Sequence, residues 1–123
     1  MTGTALARPM PQPTAQVRPY VEALGPDLAV LFLIELGGAE VYLSVSPKGK
    51  SRAEALVGSE RLAKLASHPA LQIKHRVPLA NEWLARMLHW QGRGTAEIAR
   101  QLRLTDTTVR RYIAGRKGTA NAR

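Results

Sequence analysis

The stretch TAEIARQLRLTDTTVRRYIAG, residues 95–115, decides the fold. Its apolar residues form two helical stripes on either side of a short break. Ile98, Ala99 and Leu102 make the first stripe, Val109, Tyr112 and Ile113 make the second, and Leu104 sits in the turn. Ala99 is small where two helices must cross closely. Two short helices joined by a tight turn, the second able to enter a major groove, is the layout of a helix-turn-helix.

The residues off the second stripe have the chemistry for that role. Thr105 stands where an N-cap belongs, and Asp106 suits the positive end of the helix dipole. Thr107, Thr108, Arg110 and Arg111 fall on the outer face. Threonine meets base edges or a thymine methyl, and arginine reads guanine or holds a phosphate. Arg116 and Lys117 follow the helix and reach toward the backbone of a duplex. Arg103 occupies the turn position that usually takes Gly, at a cost of about 1 kcal/mol, and stands close enough to touch phosphate. A solvated helical hairpin is the bland alternative; stripe and charge together favour DNA.

The charge is distributed to match. The chain has 123 residues, no cysteine and a net charge of +9. Residues 1–60 carry five basic and six acidic side chains, while residues 61–123 carry thirteen basic and three acidic ones. The whole excess lies in the half that holds residues 95–115, which predicts a polyanionic partner, nucleic acid first. The absence of cysteine excludes a disulfide framework and thiolate chemistry. The longest apolar run, residues 28–34, is too short to span a bilayer. With no secretion signal in the sequence, these features predict a cytoplasmic protein that does not engage a membrane.

Upstream, residues 1–19 contain Pro9, Pro11 and Pro13 and read as a disordered tail. Pro26 opens a helix to Leu36 that stops at Gly37 and Gly38. This helix, PDLAVLFLIEL, is apolar nearly all round, so a second copy of the chain is expected to cover it. Residues 40–46 alternate as a strand with Val41, Leu43 and Val45 on one side. The expected dimer contacts are Leu28, Leu31, Phe32, Ile34, Val41 and Leu43. Ser51 and Glu54 have capping-box spacing, and Ser59 is placed to cap a further helix before Pro69. Residues 71–76 read as a second short strand. LGPDLAVLF and VGSERLAKL repeat a Gly, an acid two residues on, and a helix, and each unit ends in a strand. A longer helix is predicted over residues 78–91, with Leu79, Trp83, Leu84, Met87, Leu88 and Trp90 on its apolar face.

The run GGAEVYL, residues 37–43, resembles the signature of the Mor family of phage transcription activators: two glycines, two variable residues, an aliphatic residue and tyrosine in a linker strand. The helix at residues 78–91 and the run EIARQLRLTDTTVRRYI resemble the same family's C-terminal domain in order and spacing. The resemblance covers roughly residues 20–117. It departs at Ser44, where the family usually has Pro, and at Arg103 in the turn. It implies a protein of a bacterial or phage-infected cell, an intertwined dimer that binds an inverted repeat upstream of a promoter and recruits RNA polymerase, with Gly37, Gly38 and Tyr42 at linker positions and Tyr42 near the DNA backbone.

The combined expectation is a mainly α fold. Residues 20–76 form an N-terminal dimerisation region with helices and one or two short β-strands as linker. Residues 77–117 form a C-terminal trihelical helix-turn-helix domain, and residues 118–123 a flexible tail. The function expected is sequence-specific duplex DNA binding by a homodimeric transcription regulator. A DNA-binding accessory subunit of a recombinase or transposase complex is one alternative. An interaction module that binds no DNA and dimerises through residues 28–36 is another. No enzyme is expected: no Ser–His–Asp set, Walker loop or dinucleotide fingerprint appears. His68, His75 and His89 lack metal-ligand spacing, so neither a metal nor a cofactor is expected.

Overall fold

A computed structural model describes residues 9–44, 49 and 51–114. Among these the fold is mainly helical, with seven helices and one two-stranded antiparallel sheet. The chain packs as two compact units. One spans residues 13–80; the other joins residues 81–114 to residues 9–12.

The first unit is built twice from the same parts. Helices α1 (Arg18–Leu24) and α2 (Pro26–Leu36) meet at Gly25, and strand β1 (Glu40–Tyr42) follows. Helices α3 (Arg52–Val57) and α4 (Ser59–Ala66) meet at Gly58, and strand β2 (Lys74–Arg76) follows. Gly25 has φ 85° and ψ 159°, and Gly58 has φ 88° and ψ 160°. That region is open essentially to glycine alone, so both corners turn the chain the same way. Packing is reciprocal: α1 lies against α2 and α4, and α3 against α4 and α2. The strands close the arrangement antiparallel, with Glu40 opposite Arg76, Val41 opposite His75 and Tyr42 opposite Lys74. The repeat read from the two glycine-containing runs is therefore a repeat of structure.

Local signals explain most helix ends. Pro26 stands in the first turn of α2 with Asp27 beside it, and Gly37 ends the helix through its N–H to Leu33 O. A Cβ on Gly37 would lie 2.6 Å from Leu33 O, so the close approach there requires glycine. Ser51 Oγ accepts from the Glu54 N–H at 3.0 Å, as the capping spacing predicts. The Glu54 carboxylate, however, accepts from the Gly49 N–H at 2.6 Å and so holds the preceding turn. Ser59 is not a cap: Gly58 occupies that position, and Ser59 is the first helical residue.

Three expectations require correction in this unit. The tail expected through residue 19 ends sooner, because Val17 is buried and Pro19 lies buried in the first turn of α1. Helix α2 does not need a second chain for most of its surface. Ala29, Val30, Phe32, Leu33 and Leu36 are buried by the chain's own neighbouring elements, because α1 and α3 pack against α2. Phe32 (0% exposed) and Leu43 (2% exposed) are thus core residues and are not available to a partner as dimer contacts. Leu28, Leu31 and Ile34 remain on the outer stripe, with Leu31 38% exposed; Val41 is half-buried. The second strand is also shorter than expected, and Ile73 is exposed. Residues 45–46 of the first expected strand lie outside the described residues.

The second unit contains α5 (Asn81–Trp90), α6 (Thr95–Leu102) and α7 (Asp106–Ala114), each packed against the other two. Trp83, Leu84, Ala85, Met87, Leu88, Ile98, Ala99 and Val109 form its core. Helix α5 starts at Asn81 and not at Pro78. Ala80 has φ 54°, which interrupts any helix there, and Leu79 is 60% exposed instead of lying on the apolar face. No described helix is long and apolar enough to cross a membrane.

Candidate nucleic-acid interface

Helix α7 is set by its two ends. Before it, α6 ends at Arg103 in the left-handed conformation, φ 60° and ψ 46°, whose N–H bonds Ala99 O. The Leu104 N–H also bonds Ala99 O at 2.9 Å, so the chain reverses over three residues, Arg103, Leu104 and Thr105. Thr105 caps α7: its Oγ1 accepts from the Thr108 N–H at 3.1 Å and donates to Thr108 Oγ1 at 2.9 Å. Both hydroxyls are thereby turned toward each other, and Thr108 is half-buried. At the other end, the Arg86 guanidinium donates from Nε to Tyr112 O at 2.9 Å and from Nη2 to Glu82 Oε2 at 2.7 Å. A cation on the last carbonyls of a helix is favourable through both hydrogen bonding and the helix dipole.

Val109 is the one fully buried residue of α7, with Tyr112 and Ile113 half-buried beside it. This orientation leaves Arg103, Thr105, Thr107, Arg110 and Arg111 exposed. Arg110 lies 3.8 Å from Asp106 with both side chains largely in solvent. Such a pair contributes about 0–1 kcal/mol and releases easily to a stronger anion. The Arg111 guanidinium sits 5.4 Å from the Tyr112 ring centroid. Arg116 and Lys117 lie outside the described residues.

Ion pairing shows where the charge is left over. Glu82 pairs with Arg86, Glu97 with Arg93 at 3.0 Å, and Asp106 with Arg110. Among the described residues, Arg100, Arg103 and Arg111 have no acidic partner, and all three are exposed. Arg100, in the last turn of α6, was not among the residues expected at the site. Matching each acid to an arginine four residues away would have found it, since no acid stands four residues to either side.

Tyr42 belongs to the other compact unit. It is 68% exposed on the outer face of β1, with Lys74 Nζ 5.7 Å from its ring centroid. Glu40, Lys74 and Arg76 share that face of the two-stranded ribbon, and Arg76 donates to Gly38 O at 2.7 Å.

The histidines are accounted for by local partners or burial. His68 Nε2 lies 2.7 Å from Glu22 Oε1, while the His68 Nδ1 accepts from the Ala70 N–H. His75 Nδ1 faces Gln72 O at 2.8 Å, and its Nε2 faces the Tyr20 hydroxyl at 2.7 Å. The carbonyl partner assigns the proton to Nδ1, so Tyr20 donates to Nε2. Burial pushes the Tyr20 hydroxyl up to about 12. Among the described residues, no group of three or more His, Asp or Glu side chains is placed to hold a metal ion. Comparison with protein-family models, curated proteins and solved structures gives no match for the chain.

Proposed function

We propose that the chain is a sequence-specific duplex DNA-binding transcription regulator, with α6 and α7 acting as a helix-turn-helix and α7 as its reading helix. The observation that carries this reading is the orientation of α7. Val109 is turned into the core while Thr107, Arg110 and Arg111 face solvent, beside the unpaired Arg100 and Arg103. A three-residue turn between the two helices has the length the motif uses. The uncompensated arginines provide the cationic surface that phosphate contacts need. The resemblance of residues 37–43 and 97–113 to Mor-like activators adds an inverted-repeat site, a homodimer and RNA polymerase as a partner.

For the dimer, the outer stripe of α2, namely Leu28, Leu31 and Ile34, is the surface still available. Two copies of α7 related by a twofold axis would read half-sites about 34 Å apart, or a multiple of that spacing. The test is selection of bound sequences from a random duplex library, followed by salt titration on the selected site. A symmetric consensus with a steep salt dependence is the expected result. Arg110→Ala is expected to relax base preference at one position of each half-site, at about 1–3 kcal/mol. Recovery of no consensus, together with an affinity independent of salt, would refute the reading.

A further inference from the structure

Residues 9–12 belong to the same compact unit as the C-terminal helices, although residues 13–80 separate them in the chain. The Trp83 indole Nε1–H donates to Pro11 O at 3.2 Å. Pro9, Pro11, Arg86, His89, Trp90 and Ile113 line a cleft of about 290 Å³. We infer that the surface between α5 and the end of α7, against which Pro9 and Pro11 wall this cleft, is a docking site for proline-spaced peptide segments, and that residues 9–12 are its resident, exchangeable ligand.

The sequence of the segment makes it a suitable ligand. Pro9, Pro11 and Pro13 fix φ at every second residue, and Met10 and Gln12 precede prolines and are pushed to extended backbone. Such a segment loses little freedom on docking, and its carbonyls are not committed to a helix or sheet. Aromatic-lined grooves that donate to those carbonyls are the usual receptors for this chemistry. Trp83 supplies the donor here, and Trp90 supplies an aromatic wall.

The grip is incomplete in one informative respect. Both ring nitrogens of His89 are shut off from solvent and have no hydrogen-bond partner. The Trp83 indole hydrogen bond helps to seat the resident segment, yet the segment leaves a polar group beside it unsatisfied. A segment of the same pattern that also reaches His89 would satisfy what the resident one leaves unpaired, and so could replace it.

Of the chain's two tryptophans, Trp90 lines the groove and Trp83 bonds the segment through Pro11 O, so intrinsic fluorescence reports on it directly. Deleting residues 1–12 is expected to shift the emission to the red. Adding the peptide RPMPQPT, residues 8–14, is expected to reverse the shift saturably, and the same peptide with alanine for each proline is expected not to. The full chain should ignore the peptide until it rivals the tethered segment's effective concentration, on the order of millimolar. An unchanged emission on deletion, or an alanine peptide that works as well, would overturn the inference. So would a spectrum of the full chain that changes with its own concentration, which would seat the segment on a second copy.

If the shortened chain does not fold, the full-length double variant Pro9→Ala/Pro11→Ala decides the matter. Exchange of the Trp83 indole proton, followed by NMR, should be about twofold to tenfold faster, the effect of losing one neutral hydrogen bond. Backbone amides in α5 should keep their protection. Identical indole exchange in the variant and the parent would refute the docking. None of these readouts involves DNA, so the inference stands or falls separately from the proposed function.

Discussion

Replacing Arg103 tests the turn and the interface in one experiment. Arg103 holds φ 60° and ψ 46° with its side chain exposed at the end of α6. A residue with a Cβ pays about 1–2 kcal/mol in this conformation. Glycine removes that cost but gives the unfolded chain extra freedom worth about 0.5–1 kcal/mol. Arg103→Gly should therefore stabilise the protein by about 0.5–1 kcal/mol in urea unfolding. Arg103→Lys keeps both the Cβ and the charge, and its stability should match the parent. Arg103→Asn tolerates the left-handed conformation without the charge. The same three variants separate folding from binding. If Arg103 holds a phosphate, Gly and Asn should each flatten the slope of log affinity against log salt by about 0.9 for every phosphate no longer neutralised, while Lys should not. Destabilisation by glycine of about 1 kcal/mol or more would refute the left-handed turn. A stabilised Arg103→Gly with an unchanged salt slope would refute the phosphate contact while leaving the turn intact.

Three further outcomes follow from the geometry. Thr105→Ala removes the cap on α7 and should cost about 1 kcal/mol, read from chemical denaturation; Thr105→Ser should recover most of it. Arg86→Met should cost about 1.5–3 kcal/mol, because a charged donor is removed and Tyr112 O is left without it; a change under about 0.5 kcal/mol would contradict the anchoring of α7 by Arg86. For Tyr20, the folded chain holds the hydroxyl at about 12 against an ordinary 10, so its neutral form is favoured by folding. That contribution is whole below pH 10 and is lost as pH rises from 10 to 12, roughly 3 kcal/mol in all. The unfolding free energy of the parent should fall relative to that of Tyr20→Phe over that interval, and parallel curves would contradict the buried hydroxyl.

The candidate interface was more legible than the scaffold that presents it. The stripe of Ile98, Ala99 and Val109 placed α6 and α7 and set Thr107, Arg110 and Arg111 on the outer face, because helical periodicity alone determines which residues share a side. Thr105 was readable as a cap for the same reason: its partner, Thr108, is three residues away. Arg86 was not readable as an anchor, since Tyr112 O reaches it only after α5 and α7 have packed. Thr108 kept an outward direction in the sequence reading, yet in the folded chain it is half-buried and faces Thr105. Leu79 joined the apolar face of the following helix on spacing alone, and the left-handed Ala80 moved it out of that helix.

Local chemistry in the amino-acid string was enough to set the helix from Pro26 to Gly37, the Ser51 cap, the repeated Gly25 and Gly58 corners and the concentration of positive charge after residue 60. Each of these depends on atoms within a few residues of one another, or on composition, and neither changes when the chain folds. Tertiary packing decided the rest. It chose which side of α2 is covered, buried Phe32 and Leu43, joined Tyr20 to His75 across 55 residues, and laid residues 9–12 against Trp83 across more than 70. Those outcomes turn on which apolar surfaces meet and which donors are left beside them. A helix that is greasy on every side carries no mark of which side will face its neighbours.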